Sequence, residues 1–402
     1  MFAPALAQNA PRVVIIGGGF AGATCAREIK RAETHIAVTL VEANPTYIAC
    51  PMSNSVIAGL RNFTEQQFTY DRIAADGVKV EIASAAGIDP QARTVSLSNG
   101  TRLPYDRLVL APGIDFRWGA LAGYDRAAAE KMPHAWTSGD QVDLLRRQLD
   151  AMEDGGVVAI AAPVNPSRCP PGAYERASLI AHYLKTRKPR SKLLVLDSKD
   201  TFSMQHLFQE AWKKLYPGVL EWVPLSSGGN VTAVDVATNS LVTDFDTYKV
   251  AVANVIPPQK AGRAAELAGV ADRTGWCPVD PASFESKLQP NIHVIGDAAI
   301  AGAMPKSAFA ANTEAKLCAG AVLKLLRNET PPAPVLVSTC YSLIAPDYAI
   351  SIAGVYRPTE GQYMETEGSG GVSPSDAPAS FRAQEASYAD AWFRTVTHEI
   401  FG

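Results

Sequence analysis

The chain has 402 residues, of which 47% are hydrophobic and 19% are charged, a composition typical of a globular protein with a large core. At about 150 residues per domain it is long enough for two or three domains. The formal net charge of −3 includes no clustered basic excess, which argues against nucleic-acid binding, and no stretch approaches the roughly 18 apolar residues of a membrane span.

The first residues suggest export from the cytoplasm. Residues 3–9, Ala-Pro-Ala-Leu-Ala-Gln-Asn, are similar to the small-residue end of a secretory signal, with cleavage expected after Ala7. The charged and apolar parts that should precede such an end are absent, so a disordered leader is the alternative. The signal interpretation predicts a periplasmic protein, in a compartment where the six cysteines could pair.

A dinucleotide site is predicted near the start of the chain. A β-branched strand enters a glycine turn that leads through a helix to a second strand, at residues 13–16, 17–22, 23–31 and 37–41. Gly17, Gly19 and Gly22 allow a tight turn and let a pyrophosphate approach the helix N-terminus. Glu42 ends the second strand, where it can accept the ribose 2′-hydroxyl and would repel a 2′-phosphate. The alternative is a tight turn in an unliganded domain.

Two later segments indicate that this dinucleotide is FAD. Residues 105–113 are a buried strand ending in the turn Ala111-Pro112-Gly113, and residues 291–298 are a strand ending in Gly296-Asp297. Flavoproteins with two dinucleotide folds typically have both segments, and Asp297 is placed to accept a hydrogen bond from the ribityl chain.

An Ala-rich helix is predicted at residues 308–326, directly after Met-Pro-Lys306-Ser. Its N-terminus should face the flavin, and we predict that Lys306 contributes to the cofactor site. The dipole of the helix would favour a reduced, anionic flavin.

A second strand–helix–strand unit is predicted in the middle of the chain. Strands at 157–162 and 192–197 bracket a helix, as in a unit that binds a pyridine dinucleotide. The turn between them, residues 166–172, reads Pro-Ser-Arg-Cys-Pro-Pro-Gly and has no glycine fingerprint. Because Cys169 stands where glycines are needed, NAD(P) binding is not expected and sulfur chemistry becomes plausible.

The chain resembles the flavoprotein subunit of flavocytochrome c sulfide dehydrogenase, within the sulfide:quinone oxidoreductase and glutathione-reductase-like flavoproteins. The resemblance runs from the first strand to Gly402 and is densest at residues 47–54, 168–177, 275–280 and 338–342. It implies an α/β fold with two Rossmann-like dinucleotide-binding domains and a C-terminal α+β interface domain. The predicted boundaries are 10–114 and 256–330 for the two parts of the FAD domain, 115–255 for the second Rossmann-like domain, and 331–402 for the interface domain. Strands are expected at 335–341 and 348–356, a flexible loop at 367–374 and a last helix at about 380–398.

The resemblance also assigns roles to three cysteines. Cys50 corresponds to the cysteine that forms a thioether to the 8α-methyl group of FAD, and Cys169 with Cys340 to a redox-active disulfide. The alternatives are a packing role for Cys50 and a structural disulfide between the other two. Glu175 could exchange protons with substrate or thiol if burial raises its pKa, or could be a capping or solvated carboxylate. Cys25, Cys277 and Cys318 are interpreted as packing residues.

The predicted activity is oxidation of sulfide through the disulfide and FAD, with electrons passed singly to a c-type cytochrome. That haem must be on another chain, because no Cys-x-x-Cys-His motif occurs, and the histidines show no metal-ligand spacing. Three alternatives remain: a sulfide:quinone oxidoreductase, an accessory flavoprotein acting on thiols of a sulfur-carrier complex, and an NAD(P)H-dependent disulfide reductase, which the missing second fingerprint disfavours.

Overall fold

The computed structural model describes residues 10–402, so the segment interpreted as the end of a signal lies outside the described residues. A five-stranded sheet forms the first part of the fold, and its neighbouring strands are all parallel. In spatial order the strands are Ile292–Val294, Arg107–Leu110, Arg12–Ile16, Ala37–Glu42 and Lys79–Ile82. Segments that are distant in sequence therefore end at one edge of this sheet.

A second parallel sheet lies in the middle of the chain. Its strands in spatial order are Leu220–Val223, Lys192–Asp197, Val157–Ala162 and Val252–Val255, and two of them have the bounds predicted from sequence. Alternate residues of the strand 157–162 pack into different cores: Val158 and Ile160 on one face, Ala159 and Ala161 on the other. The sheet is therefore covered on both faces, as parallel sheets generally are.

Ten α-helices occur within the described residues: α1 Phe20–Ala32, α2 Ser53–Ile57, α3 Asp71–Ala75, α4 Arg126–Ala129, α5 Asp140–Ala151, α6 Gly172–Arg187, α7 Gln205–Leu215, α8 Arg263–Leu267, α9 Ala308–Leu326 and α10 Ala379–Phe401. The predicted bounds of α9, residues 308–326, are confirmed. The helix begins there because the Ser307 hydroxyl caps it by accepting the Ala310 N–H at 3.1 Å. Among residues 10–402 no helix combines the length and the apolarity that crossing a membrane requires.

The C-terminal part is an antiparallel sheet against which α10 packs. Its strands are Leu336–Ala345, Tyr348–Thr359, Gln362–Glu365 and Gly371–Val372. The first two are longer than predicted because they form one hairpin that keeps pairing past the predicted ends. The expected loop at 367–374 contains a short strand that pairs with Ile352 and Ala353. The domain boundaries at residues 114, 255 and 330 stay predictions.

The remaining strands form small sheets around these layers: Thr46–Ile48 with Gln67–Thr69; Ala85–Asp89, Thr94–Leu97 and Arg102–Pro104; Ile114–Phe116 with Gln259–Ala261; Val231–Asp235, Ser240–Thr243 and Thr247–Lys249; and Cys277–Pro278 with Ala299–Ile300. The first of these pairs positions the loop that carries Cys50.

Candidate active site

A cavity of about 850 Å³ opens at the carboxyl edge of the first sheet, beside the N-termini of α1, α6 and α9. This volume lies in the usual range for cofactor and substrate sites. Most of the predicted site residues line it: Gly17, Gly19, Glu42, Cys50, Ala111, Pro112, Gly113, Cys169, Glu175, Gly296, Asp297 and Cys340.

The glycine turn has the geometry of a phosphate-binding loop. Gly17 has φ +101°, and a Cβ there would lie 2.2 Å from the carbonyl oxygen of Ala111; a Cβ on Gly22 would lie 1.8 Å from that of Gly17. Gly22 therefore serves the packing of the turn, while Gly19 faces the cavity as the N-cap of α1. The Glu42 carboxylate accepts the Gly18 N–H at 2.7 Å and fixes the turn. A bare backbone at the start of α1 suits a pyrophosphate.

Substitution of Gly17 by alanine is expected to destabilise the protein and weaken its retention of flavin. The added methyl group would collide with the Ala111 carbonyl, and alanine is strained at positive φ. Gly100 is the matched control, since it has φ +84° but no atom within 4 Å of a built Cβ. We expect Gly17→Ala to lower the free energy of unfolding by about 1–3 kcal/mol more than Gly100→Ala. Urea unfolding and flavin content after gel filtration measure this, and equal behaviour of the two variants would contradict it.

The turn after the strand Ile292–Val294 brings Asp297 to the cavity. Gly296 has φ +71° and donates its N–H to the Glu314 carboxylate at 2.7 Å, which anchors the turn to α9. Burial raises the pKa of Asp297, although Arg168 and Lys306 act in the opposite direction. The first residues of α9 also line the cavity, and that this N-terminus faces the flavin stays a prediction.

Lys306 is not among the residues that line the cavity, and its contribution to the cofactor site stays a prediction. Its Nζ donates to the carbonyl oxygens of Asp297 at 2.9 Å and Ala299 at 2.6 Å, and lies 4.1 Å from the ring centre of Trp276. Its own carbonyl accepts the Cys169 N–H at 2.7 Å. Lys306 therefore holds together two loops of the cavity wall. The carbonyl groups that orient its side chain could not be identified from the neighbouring sequence.

Cys169 and Cys340 reach the same cavity from different parts of the fold. Cys169 has φ +52° in the turn before α6, and Cys340 lies on the strand Leu336–Ala345. Burial raises the pKa of both thiols, that of Cys340 to about 11; for Cys169 the nearby Cys340 adds to the effect. The structure has both residues as free thiols, which differs from the disulfide implied by the resemblance. Closing that bridge requires oxidation.

Glu175, in the first turn of α6, is anchored beside the two thiols. Its carboxylate accepts hydrogen bonds from Asn54 Nδ2 at 2.9 Å and from the Leu343 N–H at 3.0 Å. It does not cap α6. Burial raises its pKa, which these two hydrogen bonds partly oppose. A carboxylate held in this way can exchange a proton inside the cavity.

Cys50 is half-buried in the cavity wall between the strand Thr46–Ile48 and α2. The Ser138 hydroxyl donates to Cys50 Sγ at 2.9 Å. Sequence reasoning missed Ser138 because nothing in the chain near residue 50 points to residue 138.

Two arginines of the cavity were also missed. Arg176, on α6, is 3% exposed and donates to Asn54 Oδ1 and Asn254 Oδ1, both at 3.0 Å. Arg168 directly precedes Cys169 and lines the same wall. Its position next to Cys169 was the one available signal in the sequence. Adjacency alone does not predict what the arginine does.

The second parallel sheet carries an acid at the position where a pyridine dinucleotide would place its ribose. Asp197 ends the strand Lys192–Asp197 and is completely buried. Its carboxylate accepts hydrogen bonds from Tyr174 Oη at 2.6 Å, Lys199 Nζ at 2.7 Å and Trp222 Nε1 at 3.0 Å. Protein donors therefore occupy this carboxylate, and the ring of Tyr174 stacks on Phe202 with centres 3.6 Å apart.

Three family models match the chain. The model described as sulfide dehydrogenase [flavocytochrome c] flavoprotein chain, central, matches residues 142–257, and the one described as flavocytochrome c sulphide dehydrogenase, flavin-binding, matches residues 332–401. The pyridine nucleotide-disulphide oxidoreductase model matches residues 11–151.

Curated relatives point in the same direction. The mitochondrial sulfide:quinone oxidoreductase of Mus musculus is 22% identical over 304 residues, which cover 72% of this chain and 66% of that protein, slightly under two thirds. The flavoprotein chain of sulfide dehydrogenase [flavocytochrome c] from Chlorobaculum thiosulfatiphilum is 47% identical over 45 residues, which cover 11% of this chain and 94% of that sequence.

A solved structure shares the fold. The sulfide:quinone oxidoreductase of Aquifex aeolicus superposes with a TM-score of 0.75 at 18% identity, covering 97% of this chain and 92% of that chain. This likeness shows the shared fold. The three family models and the curated relatives identify the chain as a flavoprotein of the family that includes the flavocytochrome c sulfide dehydrogenase flavoprotein chains and the sulfide:quinone oxidoreductases.

Proposed function

We propose that this protein is a periplasmic FAD-dependent sulfide dehydrogenase that passes electrons to a c-type cytochrome. One observation carries the proposal: the cavity that contains the glycine turn also contains Cys169 and Cys340. Cys169 stands at the turn where a second dinucleotide would bind, and the carboxylate that such a dinucleotide needs is already occupied. In this proposal the second parallel sheet belongs to a Rossmann-like unit whose turn carries the Cys169 thiol and does not bind a dinucleotide.

The residues of the cavity fit FAD. Gly17 and Gly19 would receive the pyrophosphate, Glu42 the ribose and Asp297 the ribityl chain, while Ala111, Pro112 and Gly113 would border the ring. When bound, FAD supplies the acceptor for the two electrons that sulfide loses on becoming zero-valent sulfur. Cys50 would hold it covalently through a thioether.

The two thiols would act as a disulfide that opens and closes. Hydrosulfide attacks one sulfur of the bridge between Cys169 and Cys340, which breaks the bond between them and leaves a persulfide on one cysteine and a thiolate on the other. Closing the bridge releases one zero-valent sulfur atom, one proton and two electrons. Glu175, anchored beside both sulfurs, would take up the proton.

A sulfide:quinone oxidoreductase is the second candidate. The relatives from mouse and Aquifex have that name, and one end of the cavity has an aromatic wall in which Phe309 stacks on Trp392 with ring centres 6.0 Å apart. A flat apolar acceptor would suit such a wall. Both segments that match flavocytochrome c sulfide dehydrogenase models favour the cytochrome.

Acceptor assays test the proposal. With sulfide as donor, the purified flavoprotein is expected to reduce cytochrome c faster than a water-soluble ubiquinone analogue or a persulfide-carrying protein. Faster reduction of the quinone would replace the first candidate by the second, and preference for the carrier would indicate an accessory flavoprotein. NADH without sulfide is expected to leave the flavin oxidised, because protein donors occupy Asp197. Rapid bleaching by NADH would contradict this.

A further inference from the structure

The cavity contains a guanidinium group that the proposed reaction does not use. Arg168 has a side chain that is 16% exposed, and its backbone N–H donates to Gln259 Oε1 at 2.8 Å, which fixes the residue in the wall. Within residues 10–402 its guanidinium makes no hydrogen bond, and Nη1 lies 4.0 Å from Asp297 Oδ2, beyond hydrogen-bond length. Its donors are therefore available to the cavity.

The other arginine of the wall provides a contrast. The guanidinium of Arg176 is used by hydrogen bonds to Asn54, Asn254 and the His134 carbonyl, and it lies over the ring of Trp136. It joins elements of the fold through hydrogen bonds, whereas the guanidinium of Arg168 has, within residues 10–402, only the longer ion-pair contact to Asp297 at 4.0 Å.

Several acidic groups of the cavity favour the positive charge of Arg168. Burial alone would lower the pKa of Arg168, yet its pKa is raised because the thiols of Cys50 and Cys169 and the carboxylate of Asp297 favour the cation. An ionised arginine with unused donors in a half-buried wall is suited to an anion.

We propose that Arg168 is a positioning residue whose positive charge stabilises the Cys169 thiolate that forms when the disulfide opens. The inference rests on the proposed function and adds a residue to that site. The titratable and charged groups that face Cys169 are Cys340 from the strand 336–345, Glu175 and Arg176 from α6, Asp297 from the turn 296–298, and Arg168 from its own loop. Burial, Cys340, Glu175 and Asp297 all oppose a thiolate there, whereas Arg168 favours it. Arg176 also interacts favourably with Cys169, but its guanidinium is already held by hydrogen bonds within the fold.

Alkylation of Cys169 tests the proposal without any sulfide. The holoprotein is reduced with dithiothreitol, desalted and treated with iodoacetamide at several pH values, and peptide mass spectrometry measures the rate at each cysteine. In Arg168→Gln we expect Cys169 to react about tenfold more slowly at each pH below its pKa, the change that one unit of pKa produces. Arg168→Lys retains the charge and is expected to restore most of the rate.

Three comparisons separate a charge effect from a structural one. Cys340 in the same variant should react at its wild-type rate, because its thiol titrates under the influence of burial, Glu175 and serine hydroxyls, without Arg168. Arg190→Gln removes a side chain that is 77% exposed and should change nothing. Arg168→Met, which retains the apolar stem, is the second neutral variant if the glutamine variant does not fold.

Two results would overturn the proposal: an unchanged Cys169 rate in a folded neutral variant, or a lysine variant as slow as the neutral ones. Neither depends on sulfide turnover. A wild-type protein that does not oxidise sulfide would refute the proposed function while leaving the alkylation result interpretable, and normal turnover with unchanged alkylation would refute only the role of Arg168.

Discussion

Replacement of either Cys169 or Cys340 by alanine is expected to reduce sulfide oxidation by at least about 10³-fold while the protein keeps its flavin. A single remaining sulfur cannot form the disulfide that hydrosulfide opens in the proposed mechanism, so the thiol-disulfide exchange route is lost. Neither residue belongs to the glycine turn that would bind the dinucleotide. The measurement is anaerobic rapid mixing with sulfide, in which bleaching of the flavin absorbance gives the rate, together with the flavin-to-protein ratio of each variant.

The double variant makes this prediction sharper. In the proposed mechanism the two sulfurs act as one bond, so Cys169→Ala/Cys340→Ala should be no slower than either single variant. Cys277→Ala is the control, because Cys277 is buried outside the cavity lining. It is expected to bleach at the wild-type rate. Single variants that bleach within tenfold of the wild type would show that sulfide reduces the flavin without the disulfide.

Local sequence patterns were enough to predict the main elements of the fold. The strands 157–162 and 192–197 are short apolar runs between polar turns, and α9 begins at a serine cap, so their bounds follow from a few neighbouring residues. The glycine turn is local in the same sense. The C-terminal hairpin was predicted too short, because its pairing depends on the partner strand.

Side-chain contacts between distant segments could not be predicted. The ammonium of Lys306 points to carbonyls beside Trp276. Two of the three side chains that donate to Asp197 come from α6 and from the strand Leu220–Val223. The Ser138 hydroxyl contacts Cys50 Sγ although the two residues are far apart in the sequence. Each contact is a product of the folded topology, and a single sequence contains no signal for it. The family resemblance located the cysteines, but it did not indicate which charges surround them.

Flavin is expected to stay with the polypeptide after acid precipitation of the wild-type protein and to be released from Cys50→Ala. Cys50 lies in the wall of the cavity that would hold FAD, and the Ser138 hydroxyl donates to its sulfur at 2.9 Å. This contact fixes the position of the sulfur from which a thioether to the flavin would form. The measurements are flavin absorbance in the acid pellet and supernatant, fluorescence of the denatured band in a gel, and the intact mass of the chain.

Two further variants separate attachment from binding. Cys25→Ala removes another buried cysteine, one on α1 outside the cavity lining, and should keep the flavin in the pellet. Ser138→Ala should give a mixture, since the thiol remains but loses its hydrogen-bond donor. In Cys50→Ala the flavin should still bind before denaturation, because the glycine turn and Asp297 are unchanged. If wild-type protein that oxidises sulfide released all its flavin into acid, the thioether would be refuted, and Cys50 would be a packing residue of a non-covalent FAD site.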